Sequence, residues 1–132
     1  MVSRGSLTDY SLGILVATAI LGCGPSQGPT LGQVSGTVTL DGTPLAHATV
    51  LFTPAGMGRT SQGITDGHGR YQLHYLRDIR GANIDQHSVR ITTASEATGS
   101  RELLPPRYHT CTELAGLVAA GQNTNNFDLQ SR

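Results

Sequence analysis

The chain contains no lysine and no tryptophan, only two cysteines, and few aromatic residues. Each shortage removes a class of function. Without lysine there is no nucleophile for the self-formed isopeptide crosslinks of surface adhesin modules. Two cysteines, Cys23 and Cys111, are too few for a disulfide scaffold. Positive charge is not in excess. Nine arginines balance nine acidic residues and are scattered along the chain, so nothing marks an electrostatic footprint for nucleic acid. The histidines are His47, His68, His74, His87 and His109. No two stand two apart, the spacing of a ligand pair on a strand, and neither H-x-x-E nor H-E-x-x-H occurs. No metal and no cofactor is therefore expected. Long apolar runs are missing as well: the longest, Leu12 to Leu21, has ten residues. A helix that spans a bilayer needs roughly 20.

That ten-residue run, "LGILVATAIL", has the length of a signal-peptide core and follows Arg4 and the N-terminal amine. Gly22 and Cys23 come directly after it. The sequence "ILGC" resembles the lipobox of bacterial lipoproteins: an aliphatic residue, a variable one, a small one, then cysteine. The resemblance implies a signal peptide over residues 1–22, cleavage before Cys23, a diacylglycerol thioether on its sulfur, and often acylation of the new amine. Two or three acyl chains would anchor the chain stably, at about 0.8 kcal/mol per buried methylene. An ordinary secretory signal with a cysteine beside its cut site is the alternative, and Cys23 could then pair with Cys111. Beyond Cys23, "GPSQGPTLG" carries two prolines and three glycines in nine residues, so residues 23–32 read as a flexible tether. Such a tether spans roughly 15–20 Å, which holds a domain just off a membrane. Gly24 and Pro25 lack the aspartate that retains some lipoproteins at the inner membrane, which points to the outer one.

From Gln33 the pattern has period two. Val34, Gly36, Val38 and Leu40 alternate with Ser35, Thr37 and Thr39; Asp41-Gly42 makes a turn; Ala48, Val50 and Phe52 alternate with His47, Thr49 and Leu51. "RTSQGIT", "RYQLHYL", "HSVRITTA", "TELAGLV" and "NNFDLQ" continue the series, with "DGHG" as a tight turn. Tyr71, Leu73 and Tyr75 share one face of their strand, and His87, Val89, Ile91 and Thr93 share one face of theirs. Alternation with turn punctuation predicts about seven half-buried antiparallel strands and no helix over residues 33–132. Two sheets packed face to face bury them economically. Gly116 stands where a β-branched residue is expected, Asn125 stands where an aromatic would pack better, and Leu117 falls on the outward parity. A frayed or slipped penultimate strand is therefore expected.

Within this series, Gly36, Val38, Gly42, Pro44, Leu45, Ala48, Val50, Thr65, Asp66, Gly69 and Tyr71 follow the pattern G-x-V, G-x-P-L-x-x-A-x-V, T-D-x-x-G-x-Y. The chain thereby resembles the carboxypeptidase regulatory-like domain, as carried by small lipoproteins of planctomycete-type bacteria. The resemblance implies a prealbumin-like (transthyretin-like) seven-stranded Greek-key β-sandwich. It implies no reaction. Gly42, Pro44, Asp66, Gly69 and Tyr71 read as a structural turn motif, with Asp66 capping amides and Gly69 at positive φ. Two related chemistries lack their residues. The H-x-H of intradiol dioxygenases is replaced by His87-Ser88-Val89, and the Tyr-Arg-Gly-Ser end of hydroxyisourate hydrolases by Leu129-Gln130-Ser131-Arg132.

These readings lead to a non-catalytic, lipid-anchored module of the cell envelope, structural or binding, with a protein or glycan partner. The long loop Ala94 to Cys111 is the expected contact surface, with Arg101, Glu102 and an exposed Tyr108 as its candidates. Two alternatives stay open. One is an envelope enzyme with a loop-borne site that uses Cys111 and His109; the other is an accessory module of a transport or secretion system.

Overall fold

The computed structural model describes residues 30–132, so the apolar run, Cys23 and most of the tether lie outside the described residues. The described chain is all-β, two sheets packed face to face. The first strand, β1 (Leu31–Leu40), starts two residues before the expected domain boundary. It is followed by β2 (Thr43–Pro44), β3 (Thr49–Pro54), β4 (Ser61–Ile64), β5 (Arg70–Gln72), β6 (His74–Leu76), β7 (Ile79–Arg80), β8 (Ala82–Asn83) and β9 (Asp85–Thr92). A 3-10 turn at Pro106–Tyr108 precedes β10 (Leu114–Val118), β11 (Gln122–Thr124) and β12 (Phe127–Leu129).

One sheet is built around β1. On one edge β1 pairs antiparallel with β8, β5 and β2 in turn. On its other edge it pairs with β11 and β12, and both pairings are parallel. The second sheet runs β10-β9-β3-β4-β6-β7 and is antiparallel throughout. The parallel pairs depart from the antiparallel expectation, and chain direction explains them. β10 ends beside the start of β9, where Val118 pairs with Asp85. The chain then crosses to the other sheet through Ala119 to Gly121 and sets off from the end where β1 also begins. The Gln33 amide donates to the Gly121 carbonyl there at 2.8 Å.

Twelve strands replace the expected seven because one expected strand is interrupted and four short ones, β2, β7, β8 and β11, are added. Arg70 to Leu76 breaks at Leu73, which changes sheets. The Leu73 amide donates to Val34 of β1, while β6 beyond it pairs with β4. Tyr71 and Leu73 are buried as expected, but Tyr75, past the break, is only half-buried. The last expected strand, "NNFDLQ", forms β12, and β11 precedes it where no strand was expected. The β1–β2 turn matches its two residues. Asp41 (φ 53°) and Gly42 (φ 85°) are both left-handed, as a two-residue Asp-Gly hairpin requires.

The core lies between the sheets. Val34 and Val38 of β1, Val50 and Phe52 of β3, Val89 and Ile91 of β9, and Phe127 and Leu129 of β12 are all buried there. Phe52 and Phe127 meet edge-on across the layers at 6.2 Å between ring centroids. His87 and Thr93 are buried on the same face of β9 as Val89 and Ile91, as their parity indicates.

The expectation of a slipped penultimate strand is overturned. β10 pairs with β9 at five consecutive positions, from Leu114–Val89 to Val118–Asp85. Gly116 is the reason it fits. A Cβ there would stand 2.7 Å from Cε2 and 3.0 Å from Cζ of Phe52. The large ring of β3 occupies the space that a β-branched side chain would need. Leu117 does point outward and is exposed.

Gly116→Val should therefore destabilise the domain by about 1–3 kcal/mol through overpacking. Combining it with Phe52→Leu should recover part of that loss, because the two positions share one space. Urea unfolding of both single variants and the double variant measures the coupling. Strictly additive changes would show that the ring and the glycine are independent.

Candidate functional site

The turn motif brings its residues together. Asp66 Oδ1 accepts from the amides of His68 at 2.8 Å and Arg70 at 2.9 Å. These bonds, with the nearby Arg70 and His68 charges, hold its carboxyl below the usual range against a small desolvation cost. The Gly69 φ is +74°, and its carbonyl accepts from Val38 of β1 at 2.8 Å. A Cβ on Gly69 would stand 2.6 Å from the Val38 carbonyl oxygen and 3.2 Å from Pro44 Cβ. The glycine thus lets the Asp66 turn seat directly on the β1–β2 hairpin. Thr65 adds a buried link, with Oγ1 accepting from the Ala48 amide at 2.9 Å.

Tyr71 runs from this turn into the core, and its hydroxyl donates to the Asn125 carbonyl at 2.6 Å. Burial pushes that hydroxyl far above the ordinary tyrosine range, so it is a fixed neutral donor. The opposing residue on β1 is Gly36, where a Cβ would stand 1.9 Å from the same carbonyl oxygen. Asn125, expected to weaken the strand as a side chain, acts here through its backbone. It turns its carbonyl inward at the break between β11 and β12, and Asn126 Oδ1 accepts from the Thr37 amide at 2.9 Å beside it.

Beside Tyr71 an open groove of about 870 Å³ follows the seam between the two sheets. Ser35, Gly36 and Thr37 of β1, Tyr71 and Gln72 of β5, and Thr124 and Asn126 line it from the first sheet. Gln62 and Ile64 of β4, His74 of β6 and Arg77 line it from the second, and Asp66 and Arg70 also border it. Gly63 allows the seam to close. A Cβ there would stand 2.4 Å from the Gln72 carbonyl oxygen, so the backbones of β4 and β5 approach as only glycine permits. Asp66 and Arg70 form a solvent-exposed ion pair at 3.6 Å, of the kind that contributes little to stability. The groove offers carboxamides, hydroxyls, an imidazole, a carboxylate and the guanidiniums of Arg70 and Arg77, but most of its exposed lining is apolar, Ile64 included. That mixture suits an extended chain that carries both apolar and hydrogen-bonding groups. Sequence periodicity places Ser35, Thr37, Gln72 and His74 on outward faces, with Gly36 and Tyr71 on the inward ones. It does not show that two outward faces meet; only the glycine inside the β4 pattern hints at a close backbone approach.

The predicted contact loop is tied down. The Glu102 carboxylate accepts from the Thr92 hydroxyl, from the Thr93 amide and hydroxyl at 3.0 Å each, and from the Leu104 amide at 3.2 Å. Partial burial opposes its charge, and these hydrogen bonds outweigh that, so its carboxyl stays below the usual range. Tyr108, expected at the surface, is buried. Its hydroxyl accepts from the Gln130 amide at 2.9 Å, and the Arg107 guanidinium stacks 4.8 Å from its ring centroid. Arg101 is exposed. His109 Nε2 donates to the Leu104 carbonyl at 3.0 Å, and Thr110 engages Nδ1 at 2.8 Å, so both ring nitrogens are occupied. Cys111 is an exposed free thiol. Among the described residues no three His, Cys, Asp or Glu side chains gather as a metal set.

No protein-family model matches the chain, and no curated protein matches it. The geometry of the groove and of the loop is therefore the ground for a functional reading.

Two outcomes follow. Tyr71→Phe leaves the inward Asn125 carbonyl without its donor and should cost about 1–3 kcal/mol in urea unfolding. A change near zero would mean that water replaces the hydroxyl. Glu102 has a lower pKa folded than unfolded, so the unfolded chain takes up the proton first. The stability it contributes is present above the ordinary glutamate value near ~4.3 and is lost as pH falls below it. The melting temperature should fall on acidification through that range, and less steeply in Glu102→Gln. Parallel curves for the two proteins would remove Glu102 from the account.

Proposed function

We propose that this chain is a lipid-anchored protein of the cell envelope, held on the outer membrane, whose β-sandwich binds a protein or glycan partner without transforming it. The observation that carries the anchor is the seam at Leu21-Gly22-Cys23, where an apolar run of signal-core length meets a glycine- and proline-rich tether. The binding reading is supported by the groove beside Tyr71, an open surface that sets hydrogen-bond donors and acceptors within a mostly apolar lining. We also read the sandwich as the prealbumin-like Greek-key fold. In support, residues of the G-x-P-L and T-D-x-x-G-x-Y pattern, Pro44, Gly69 and Tyr71 among them, come together around β1.

Intact mass of the protein from the membrane fraction tests the anchor. A species that begins at Cys23 with two or three acyl chains is expected, and Cys23→Ser should release an unacylated chain. A soluble, unacylated wild-type species would refute it, and a Cys23–Cys111 bridge would then be sought. Photo-crosslinking in intact envelopes tests the groove. Gln62→Glu with Ile64→Glu, both exposed on β4, should abolish partner capture without moving the melting temperature. Undiminished capture would exclude the groove as the binding surface.

A further inference from the structure

We infer that the pole of the sandwich from which the tether leaves is a membrane-contacting face, with Met57, Leu76, Ile79 and Ile84 dipping into the interface of a lipid bilayer. The inference rests on the lipid-anchor reading and adds to it which part of the fold meets the lipid.

Seven large hydrophobic residues are exposed among the described residues; strand register sets these four toward one end, with Leu117 beside Gln86 of β9 near it. β1 begins at that end, and the Ile84 amide donates to the Thr30 carbonyl where the described chain starts. Met57 tops the loop between β3 and β4 and is 95% exposed. That loop leans on the same end: the Gly56 amide donates to Asp85 Oδ2 at 2.9 Å, and a Cβ on Gly58 would stand 2.5 Å from Asn83 Oδ1. Leu76 and Ile79 are paired across the β6–β7 hairpin, which runs past Gln62 toward Arg59 and Thr60. Leu76, Ile79 and Ile84 are 38%, 45% and 39% exposed.

Charge fits the same reading. Arg59, over the Tyr75 ring, and Arg77 flank the apolar tips. Asp78 shares the hairpin tip with Arg77, while the Asp85 carboxylate is taken up by the Gly56 and Gln86 amides. Apolar tips flanked by arginines are the composition of a surface that rests at the headgroup level of anionic lipid.

Tether length selects this pole over the other. Seven residue steps separate Cys23 from Thr30, at most about 25 Å when fully extended. β1 alone has ten residues and is about 33 Å long. The Asp41 turn and the Glu102 loop stand at its far end, beyond the reach of an anchor at Cys23. The exit pole must stay within one tether length of the bilayer, where its apolar tips can reach lipid.

The test uses the chain processed to begin at Cys23, with Cys111→Ser, coupled through the Cys23 thiol to maleimide lipid in phosphatidylcholine–phosphatidylglycerol vesicles. The coupling supplies the anchor chemically, so the face is read whether or not cells acylate Cys23. That question belongs to the intact mass. The chain has no tryptophan, so Met57→Trp and Leu103→Trp each place one fluorophore, at the near pole and the far pole. Lipids with brominated acyl chains should quench Met57→Trp at least twofold and shift its emission to the blue, and should leave Leu103→Trp unchanged. Adding Ile79→Asn and Ile84→Asn to Met57→Trp should reduce the quenching. Absent quenching at position 57, equal quenching at both positions, or quenching that survives the two asparagines would each overturn the proposal.

Discussion

The constraint on which the structure depends is the two-sided pairing of β1. Every other strand of its sheet is hydrogen-bonded to that one ten-residue segment. A strand paired on both edges has little freedom in register, since slipping by one residue would turn Val34 and Val38 out of the core. It also tolerates close neighbours only where it has no side chain. At Gly32 a Cβ would stand 2.1 Å from the Ala119 carbonyl oxygen, and at Gly36 one would stand 1.9 Å from that of Asn125. These two glycines let the returning C-terminal chain lie along β1.

From that central strand the molecule acquires two different ends. At one end β1 begins and the chain crosses between sheets through Ala119 to Gly121. Asn123 knits that crossing: Nδ2 donates to the Gln33 and Ala119 carbonyls, and Oδ1 accepts from the Ala119 amide. At the other end the chain closes on itself through polar bonds. Ser131 donates to both Asp41 carboxylate oxygens, Arg107 donates to the Gln130 and Arg132 carbonyls, and Glu102 gathers the long loop. The closed end is polar and well satisfied, whereas the open end carries four of the exposed apolar side chains. The groove lies between them, along the seam that Gly63 closes.

The Ala94 to Cys111 loop illustrates how a long irregular segment becomes structural. Its length and polarity read as a solvated contact surface. In the fold, Leu104 and Tyr108 plug the end of the core, and a single carboxylate holds several donors in place. What remains exposed is Ala94, the Glu96 to Arg101 tip, Leu103, and Pro106, Thr110 and Cys111 beyond it. The loop belongs to the scaffold more than to its recognition surface.

Strands, turns and the inward faces were legible in the sequence because each depends on neighbours a few residues away. The parity of Val34, Val50, Phe52, Val89 and Ile91, the Asp41-Gly42 turn and the Asp66 cap all follow from local spacing. What the sequence could not carry were contacts between segments far apart. Gly116 reads as a weak point until the Phe52 ring is seen in its place, and Asn125 reads as a misfit until its carbonyl meets Tyr71. The parallel pairing of β1, the sheet switch at Leu73, the burial of Tyr108 and the meeting of two outward faces in one groove were decided by tertiary structure alone. Period-two patterning records which side of a strand is buried, but not which strand lies beside it or where the chain crosses between sheets.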